Sequence, residues 1–404
     1  MDKYYQSEEF LQLLARYEEA VDGHAAIYLE VDEFADIIQY YATLGQNDKA
    51  TRAANTALEL HPGALEPWAY KARYAMIIDG DTRKADWCAE QIADKADNDY
   101  YYLKAEILIQ RDELEKMQNY LMERFEELEQ EDKDDFALDV ADMLNDYRIT
   151  EYALVWLNAV SNKATADYKT IKADSLIHSD IQDRDGEGEK LLEELTNDDP
   201  YNVEHWISLA DAQRLKGDYE ESANSCDYAL AIDPKNNEAL SIKGDDLICM
   251  EKYEAAVALF QRYYNTCEPD HKATTAARVG LCLLAMNEYE QAKSWFIRGF
   301  DDTTEKSALF ISIFVTIADG CLNENTYKVL KEIFISLGNE NNSGWAHMAL
   351  ISLSMNRMDD FQYYLQEAIQ RNPNEAKNML SEFYPTGSPL AEWPYLTPKQ
   401  NTNG

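Results

Sequence analysis

A repeat of about 34 residues is the feature of this sequence that most constrains its fold. Residues 203–236 carry a pattern of aromatic, small and proline residues that returns in 237–270 and, in weaker form, on both sides. One position of the pattern can be followed along the chain, at Ala50, Ala85, Met117, Tyr152, Gly188, Ser222, Ala256, Ala292, Thr326 and Phe361. These ten markers predict ten similar units, because such a period is typical of stacked supersecondary elements.

The composition indicates that each unit is helical. The 404 residues include only 15 Gly and 10 Pro, and Ala, Leu, Glu, Asp and Tyr are abundant relative to β-branched residues. We therefore predict an all-α fold in which each unit is a helix-turn-helix, with two antiparallel helices of about 12 residues. Neither helix can bury its apolar stripe alone, so each unit completes its core against the next one.

The best-defined unit resembles the tetratricopeptide repeat (TPR) family. The residues that carry the resemblance are Trp206, Leu209, Ala210, Gly217, Tyr219, Ser222, Ala229 and Pro234. The resemblance is strongest over 31–64, 203–306 and 342–375, and it is weak over 98–202, where larger residues replace the expected alanine. It implies a right-handed TPR superhelix, which is an α-solenoid of helix-turn-helix repeats.

The repeats divide the chain into five segments. In order, they are an N-terminal capping helix (1–30), TPR-like repeats 1–4 (31–166), an irregular repeat 5 with an acidic turn (167–202), repeats 6–10 (203–375), and a C-terminal cap helix with a proline-rich tail (376–404). Residues 384–400 of the tail contain four prolines, so we expect an extended conformation there. The tail either lies back on the final units, enters the groove of a neighbouring copy, or is a disordered terminus.

Sequence motifs for catalysis or cofactor binding are missing. The chain has no phosphate-binding loop, GxGxxG, GxSxG, HExxH or CxxC, and its six His and six Cys are scattered. We therefore expect no enzyme activity and no cofactor. The alternative of an (α/α) toroid glycosidase, which uses two catalytic carboxylates, fits less well because toroids are built from longer and less regular hairpins.

The charge of the chain argues against two classes of partner. With a formal net charge of −39, the chain repels nucleic-acid phosphate and anionic lipid, so we expect neither nucleic acid nor a membrane as partner. The N-terminal residues lack the apolar core of a secretory signal, and the longest apolar run, 308–318, is too short to span a bilayer. We therefore predict a soluble, cytoplasmic protein. Its acidic surface either favours a basic partner or only keeps the chain in solution.

An acidic turn in repeat 5 resembles a calcium-binding loop. In DRDGEGEKLLEE, residues 183–194, the acidic side chains at EF-hand ligand positions are Asp183, Asp185, Glu187 and Glu194. Lys190 stands where the loop needs an apolar residue, and Pro200 ends the following helix early. We interpret the stretch as a turn followed by the start of a helix, and the four acidic residues as a weak candidate for a metal site.

The resemblance to TPR proteins places function on the inner face of the first helix of each unit, at positions 2, 5, 9 and 12. Position 9 is occupied by Gln39, Arg73, Glu106, Ala141, Ile177, Asp211, Asp245, Leu281, Val315 and Leu350. The chaperone-binding members hold a carboxylate with Lys at position 5 and Asn at position 9, and this chain has neither. We therefore argue against a receptor for chaperone tails.

The predicted partner-binding groove changes character along the chain. Its residues are Arg73, Tyr102, Glu106, Ile207, Asp211, Arg214, Asp245, Leu281, Leu284, Ile311, Val315 and Leu350, and the last five are apolar. The apolar part either belongs to the core, because the register is off by one residue, or docks an apolar segment. We predict a non-catalytic scaffold that binds a protein or peptide segment. One alternative is a TPR regulator that senses a peptide or an ion, and another is self-association through the tail or the array ends.

Overall fold

The computed structural model describes residues 3–23, 27–179, 186–267, 269–302, 323–337, 344–385, 387–396 and 398, which form helices and turns without a β-strand. The chain divides into two compact units, unit 1 (Met1–Arg184) and unit 2 (Asp185–Gly404). None of the described helices is both long enough and apolar enough to cross a bilayer.

Unit 1 consists of helices that pack in consecutive pairs. A 3₁₀ turn, Lys3–Gln6, is followed by α1 (Glu8–Asp22), α2 (Val31–Thr43), α3 (Asn47–Leu60), α4 (Leu65–Ile77), α5 (Thr82–Glu90), α6 (Asn98–Gln110), α7 (Leu114–Glu127), α8 (Lys133–Asp146), α9 (Thr150–Ala159) and α10 (Ala166–Ile177). The pairs are α2/α3, α4/α5, α6/α7 and α8/α9, and α10 packs against both helices of the last pair. The short connections make the two helices of each pair antiparallel.

Unit 2 repeats the same construction. Its helices are α11 (Glu187–Asp198), α12 (Val203–Lys216), α13 (Tyr219–Ile232), α14 (Asn237–Cys249), α15 (Tyr253–Thr266), α16 (Pro269–Ala285), α17 (Tyr289–Asp302), α18 (Glu324–Leu337), α19 (Trp345–Ser354), α20 (Met358–Arg371) and α21 (Pro373–Leu380). Two 3₁₀ turns follow, Ser381–Phe383 and Leu390–Tyr395. The pairs α12/α13, α14/α15, α16/α17 and α19/α20 pack as in unit 1. The predicted all-α array of helix-turn-helix units is therefore confirmed.

Small residues allow the two helices of a pair to approach closely. Nine of the ten marker residues are buried, and the exception is Tyr152. In α14, a Cβ on Gly244 would lie 2.5 Å from the ring of Phe260 in α15, and in α16 a Cβ on Gly280 would lie 2.6 Å from the ring of Phe296 in α17. Only glycine leaves room for these rings, so the packing explains the residue type at these positions.

The fourth repeat is shifted by one residue from the register that the sequence pattern predicted. Tyr152 is half-buried, whereas Ala153 is fully buried and takes the place of the small marker. The first helix of the same repeat shows the same shift, because Ala141 is fully buried and Asp142 is exposed. One residue corresponds to a rotation of about 100° around an α-helix. The shift therefore changes which side chains of α8 face solvent.

The C-terminal tail lies back on its own unit, which is the first of the three arrangements considered from the sequence. The predicted extended conformation is wrong for Leu390–Tyr395, which form a 3₁₀ turn with Pro394 inside it. The turn Leu390–Tyr395 packs against α20. Trp393 is only 3% exposed and stacks on Tyr384, with the ring centroids 4.5 Å apart and the planes 12° from parallel. The tail thus covers part of the apolar core at this end of unit 2.

Candidate partner-binding surface

The first helices of consecutive repeats lie side by side in unit 1. Helix α4 packs against α2 and α6, and α8 packs against α6 and α10. The outward residues of α4, α6, α8 and α10 therefore form a continuous surface, which we call the first-helix surface of unit 1. A surface built on packed helices holds its side chains in fixed relative positions.

An ion pair links two first helices within this surface. The guanidinium of Arg73 in α4 donates two hydrogen bonds of 2.8 Å to the two carboxylate oxygens of Glu106 in α6. Glu106 is 7% exposed. Burial lowers the pKa of Arg73, but the hydrogen bonds and the charge of Glu106 outweigh burial and raise it overall. Two predicted groove residues are thus joined, and they hold neighbouring repeats together.

A second polar contact extends the surface to the next repeat. The hydroxyl of Tyr102 in α6 donates a hydrogen bond of 3.0 Å to a carboxylate oxygen of Asp139 in α8. Burial, followed by the charge of Asp139, raises the pKa of Tyr102 above its ordinary value. Tyr102 therefore stays protonated and remains a hydrogen-bond donor at neutral pH.

Four aspartates form a stripe along the exposed side of α8. They are Asp135, Asp139, Asp142 and Asp146, opposite the buried Phe136, Val140 and Leu144. Partial desolvation is the largest cause of a raised pKa at Asp142, and the like charges of Asp146, Asp174 and Asp139 raise it further. The surface between α8 and α10 thus brings several carboxylates close enough to affect one another.

Helix α10 adds one acidic side chain to this surface. Asp174 lies 2.9 Å from Nδ1 of His178 and 4.0 Å from Arg148. Its charge raises the pKa of Asp142 in α8, so Asp174 contributes to the same acidic surface. The sequence prediction missed Asp139, Asp142, Asp146 and Asp174. The spacing of the aspartates in α8, at three and four residues, was the signal that could have identified the exposed side.

In unit 2, aspartate and arginine alternate on the first helices. Asp211 pairs with Arg214 at 3.0 Å within α12, and Asp245 in α14 pairs with Arg278 in α16 at 3.0 Å. Arg278 also donates a hydrogen bond of 3.0 Å to the hydroxyl of Ser241. Burial raises the pKa of Asp245, although Arg278 and Arg214 act in the opposite direction. These predicted residues are thus brought together, with arginine charges compensating much of the acidity.

A buried carboxylate lies beside this row. Asp246 is 0% exposed and accepts a hydrogen bond of 2.7 Å from the hydroxyl of Ser222 in α13. Its second carboxylate oxygen is buried without a hydrogen-bond partner among the described residues. Burial is the main cause that raises the pKa of Asp246 to about 6, and the charges of Asp245 and Asp211 raise it further against the opposing effects of Ser222 and Arg214.

Three of the six apolar residues predicted for the groove lie in the core. Ile207, Leu281 and Leu284 are 4%, 3% and 2% exposed, so a partner cannot reach them. Leu350 is half-buried against the same core as Leu281. Ile311 and Val315 lie outside the described residues.

The acidic turn of repeat 5 is described only from Gly186 onward, so Asp183 and Asp185 lie outside the described residues. Glu187 is in the first turn of α11 and Glu194 in the same helix two turns later. Acidic residues in a first turn interact favourably with the helix dipole. Within the described part of the chain, no group of three or more His, Cys, Asp or Glu could hold a metal ion.

Comparisons with known proteins give distant similarities to solved helical-repeat structures. No family model and no curated protein matches the chain. A tetratricopeptide repeat protein from Parabacteroides merdae is 14% identical with a TM-score of 0.38, over 71% of this chain and 98% of that one. Human IFIT1 is 12% identical with a TM-score of 0.38, over 90% and 94% of the two chains. PilF of Pseudomonas aeruginosa is 16% identical with a TM-score of 0.32, over 61% and 98%. The chain thus resembles TPR proteins, and nothing about its own partner follows from similarities this distant.

Proposed function

We propose that this protein is a non-catalytic scaffold that binds a protein or peptide segment on the first-helix surface of unit 1. Support comes from the packing of α4, α6, α8 and α10, and from the contacts that connect them. The Arg73–Glu106 pair and the Tyr102–Asp139 hydrogen bond each join neighbouring first helices. A surface that is already ordered loses little conformational entropy when a partner binds.

The partner segment that suits this surface is basic. The observation that carries the proposal is the row of exposed aspartates on α8, Asp135, Asp139, Asp142 and Asp146. Burial first, and then the like charges of Asp146, Asp174 and Asp139, raise the pKa of Asp142, which agrees with this placement. A lysine or arginine side chain placed among these carboxylates relieves their mutual repulsion and gains charge-assisted hydrogen bonds. The net charge of −39 also attracts a basic segment from a distance, which increases the association rate.

Binding of synthetic peptides tests this proposal. Peptides of equal length that are basic, neutral and acidic are titrated into the full chain, with fluorescence anisotropy as the readout. We expect the basic peptide to bind most tightly and its affinity to fall steeply with salt, because exposed charges are screened over about 10 Å at 0.1 M salt. The triple variant Asp139→Asn, Asp142→Asn, Asp146→Asn should weaken binding on the order of tenfold, since each exposed ion pair contributes about 0.2–1 kcal/mol.

A matched control separates the site from the general acidity of the chain. Glu115, Glu123 and Glu126 are exposed on α7, a second helix of the same unit. The triple variant Glu115→Gln, Glu123→Gln, Glu126→Gln changes the net charge by the same amount and should leave the affinity within about twofold of wild type. Equal weakening by the two triple variants would mean that the peptide responds only to net charge. A basic peptide that binds no better than the neutral one would refute the proposal altogether.

A further inference from the structure

The C-terminal segment 387–396, which we call the terminal strap, is held on unit 2 by apolar contacts. Trp393 is 3% exposed and stacks on Tyr384, while Leu390 and Leu396 are partly buried against the same core. The turn Leu390–Tyr395 packs against α20. The strap carries one charged residue, Glu392. It is thus a mostly apolar, aromatic and proline-containing segment lying on an apolar surface.

The polar groups of the strap are satisfied locally. The indole N–H of Trp393 donates to the hydroxyl of Ser388 at 3.0 Å. The backbone N–H groups of Ser388, Glu392 and Leu396 donate to the carbonyl oxygens three residues before them, at 3.0, 2.9 and 3.1 Å. Within the part of the chain that the structure describes, all hydrogen bonds of the strap lie inside residues 385–396. The strap therefore behaves as a prefolded ligand that covers unit 2 without being connected to it by hydrogen bonds.

The surface beneath the strap belongs to helices that pack without it. Helices α19 and α20 form a pair, and α21 packs against both of them. Phe361, Leu365 and Leu380 of these helices are fully buried. The strap follows after the 3₁₀ turn Ser381–Phe383 and adds a layer at the end of an existing core.

We propose that this end of unit 2 is a docking slot for a Leu-x-x-Trp-Pro segment folded as a 3₁₀ turn, and that the terminal strap is its tethered occupant. The recognised partner is a segment of another protein with the chemistry of residues 390–394: an aliphatic side chain, a tryptophan that stacks on Tyr384, and a proline that limits the backbone to few conformations. Because the strap is attached by a short connection, its effective concentration at the slot is on the order of millimolar. The strap therefore excludes partners of similar intrinsic affinity until it is displaced.

The test uses the full chain with Trp393→Ala, which empties the slot while the tail stays attached. A fluorescent synthetic peptide of residues 387–396 serves as the probe. It should bind the Trp393→Ala chain at least tenfold more tightly than the wild-type chain, because only the variant has lost the competing tryptophan. The same peptide with alanine in place of its tryptophan should bind neither chain.

Tyr395→Ala is the matched control. Tyr395 is in the same strap but 88% exposed, so its removal should leave the peptide affinity at the wild-type value. Tyr384→Ala, combined with Trp393→Ala, removes the stacking surface of the slot and should abolish peptide binding. Equal peptide affinity for the wild-type and Trp393→Ala chains would overturn the proposal. An increase in peptide affinity with Tyr395→Ala as large as that with Trp393→Ala would also overturn it.

Hydrogen exchange distinguishes a docking slot from an integral part of the core. Amides of α19, α20 and α21 should keep their protection in the Trp393→Ala chain, and only the strap itself should exchange faster. If these three helices lose protection as well, the strap is required for the fold of unit 2 and the proposal is wrong.

Discussion

Asp246 makes the stability of unit 2 depend on pH, and Asp246→Asn should remove that dependence. The carboxyl group is fully buried, accepts one hydrogen bond from Ser222 and has one oxygen without a partner. Its pKa of about 6 in the folded chain lies above the ordinary value of 3.8. The folded state therefore holds the proton more tightly than the unfolded state. The stabilisation from this group is fully present below pH 3.8 and is lost as the pH rises through 6.

The magnitude follows from the difference between the two pKa values. A shift from 3.8 to about 6 corresponds to about 3 kcal/mol, at about 1.4 kcal/mol per pKa unit. About 2 kcal/mol of this change falls between pH 4.5 and pH 7.5. Asn cannot titrate, so the variant should lack this part of the pH dependence. At neutral pH the variant gains less than this in stability relative to wild type. The amide N–H group of Asn takes the place of a carboxylate oxygen that has no hydrogen-bond partner, and a buried N–H group without a partner costs about 1–3 kcal/mol.

Urea unfolding at a series of pH values measures this effect, with hydrogen exchange of residues 219–249 as a local readout for α13 and α14. Other carboxyl groups also titrate in this range, but they cancel when the variant is compared with wild type at each pH. Glu220→Gln, an exposed substitution at the start of α13, is the matched control and should retain the wild-type pH dependence. If Asp246→Asn and wild type lose stability equally between pH 4.5 and 7.5, the carboxyl group is not protonated in the folded chain and the reasoning fails.

Four further substitutions test the packing of the array. Arg73→Met leaves the buried carboxylate of Glu106 without its partner and should lower the free energy of unfolding in urea by about 3 kcal/mol. A loss below about 0.5 kcal/mol would mean that the ion pair is solvated. Trp345→Ala should lower the free energy of unfolding by about 3–5 kcal/mol, because this side chain is 3% exposed. Trp206→Ala should cost less, because the indole of Trp206 is only half-buried. A larger loss of melting temperature for Trp206→Ala than for Trp345→Ala would contradict the burial argument. Gly244→Ala forces a methyl group against the ring of Phe260 and should cost about 1–3 kcal/mol, and an unchanged melting temperature would show that the ring moves freely.

The case of Trp206 shows why a residue type does not determine its energetic weight. Its position in the repeat predicted a buried aromatic side chain. In the structure, the ring stacks on Tyr228 with centroids 4.4 Å apart, and its N–H donates to the carbonyl oxygen of Pro200 at 2.9 Å. One edge therefore stays in solvent. The pattern identified a packed aromatic position, but it did not give the exposed area of the ring.

The candidate site could be predicted only in part. Arg73, Tyr102, Glu106, Asp211, Arg214 and Asp245 are on first helices as predicted. Arg73, Tyr102, Glu106 and Asp245 contact a neighbouring first helix, whereas Asp211 and Arg214 pair within one helix. Asp142 was missed because Tyr152 was assigned as the marker in place of Ala153. An error of one residue rotates the assignment by about 100°, which exchanges the buried Ala141 for the exposed Asp142. Ile207, Leu281 and Leu284 were also misplaced, because these side chains are buried in the core and not exposed in a groove.

The sequence by itself determined the class of the fold, because a period of about 34 residues with small residues at fixed positions is compatible with few packings other than stacked helical pairs. It also determined that the tail after α21 cannot continue as a helix, since prolines interrupt it. Tertiary structure alone decided which carboxylates face each other, how deeply Asp246 is buried and where the tail lies. These properties depend on side chains from different repeats meeting in space, and the local pattern of one repeat contains no information about the separation of atoms in its neighbours.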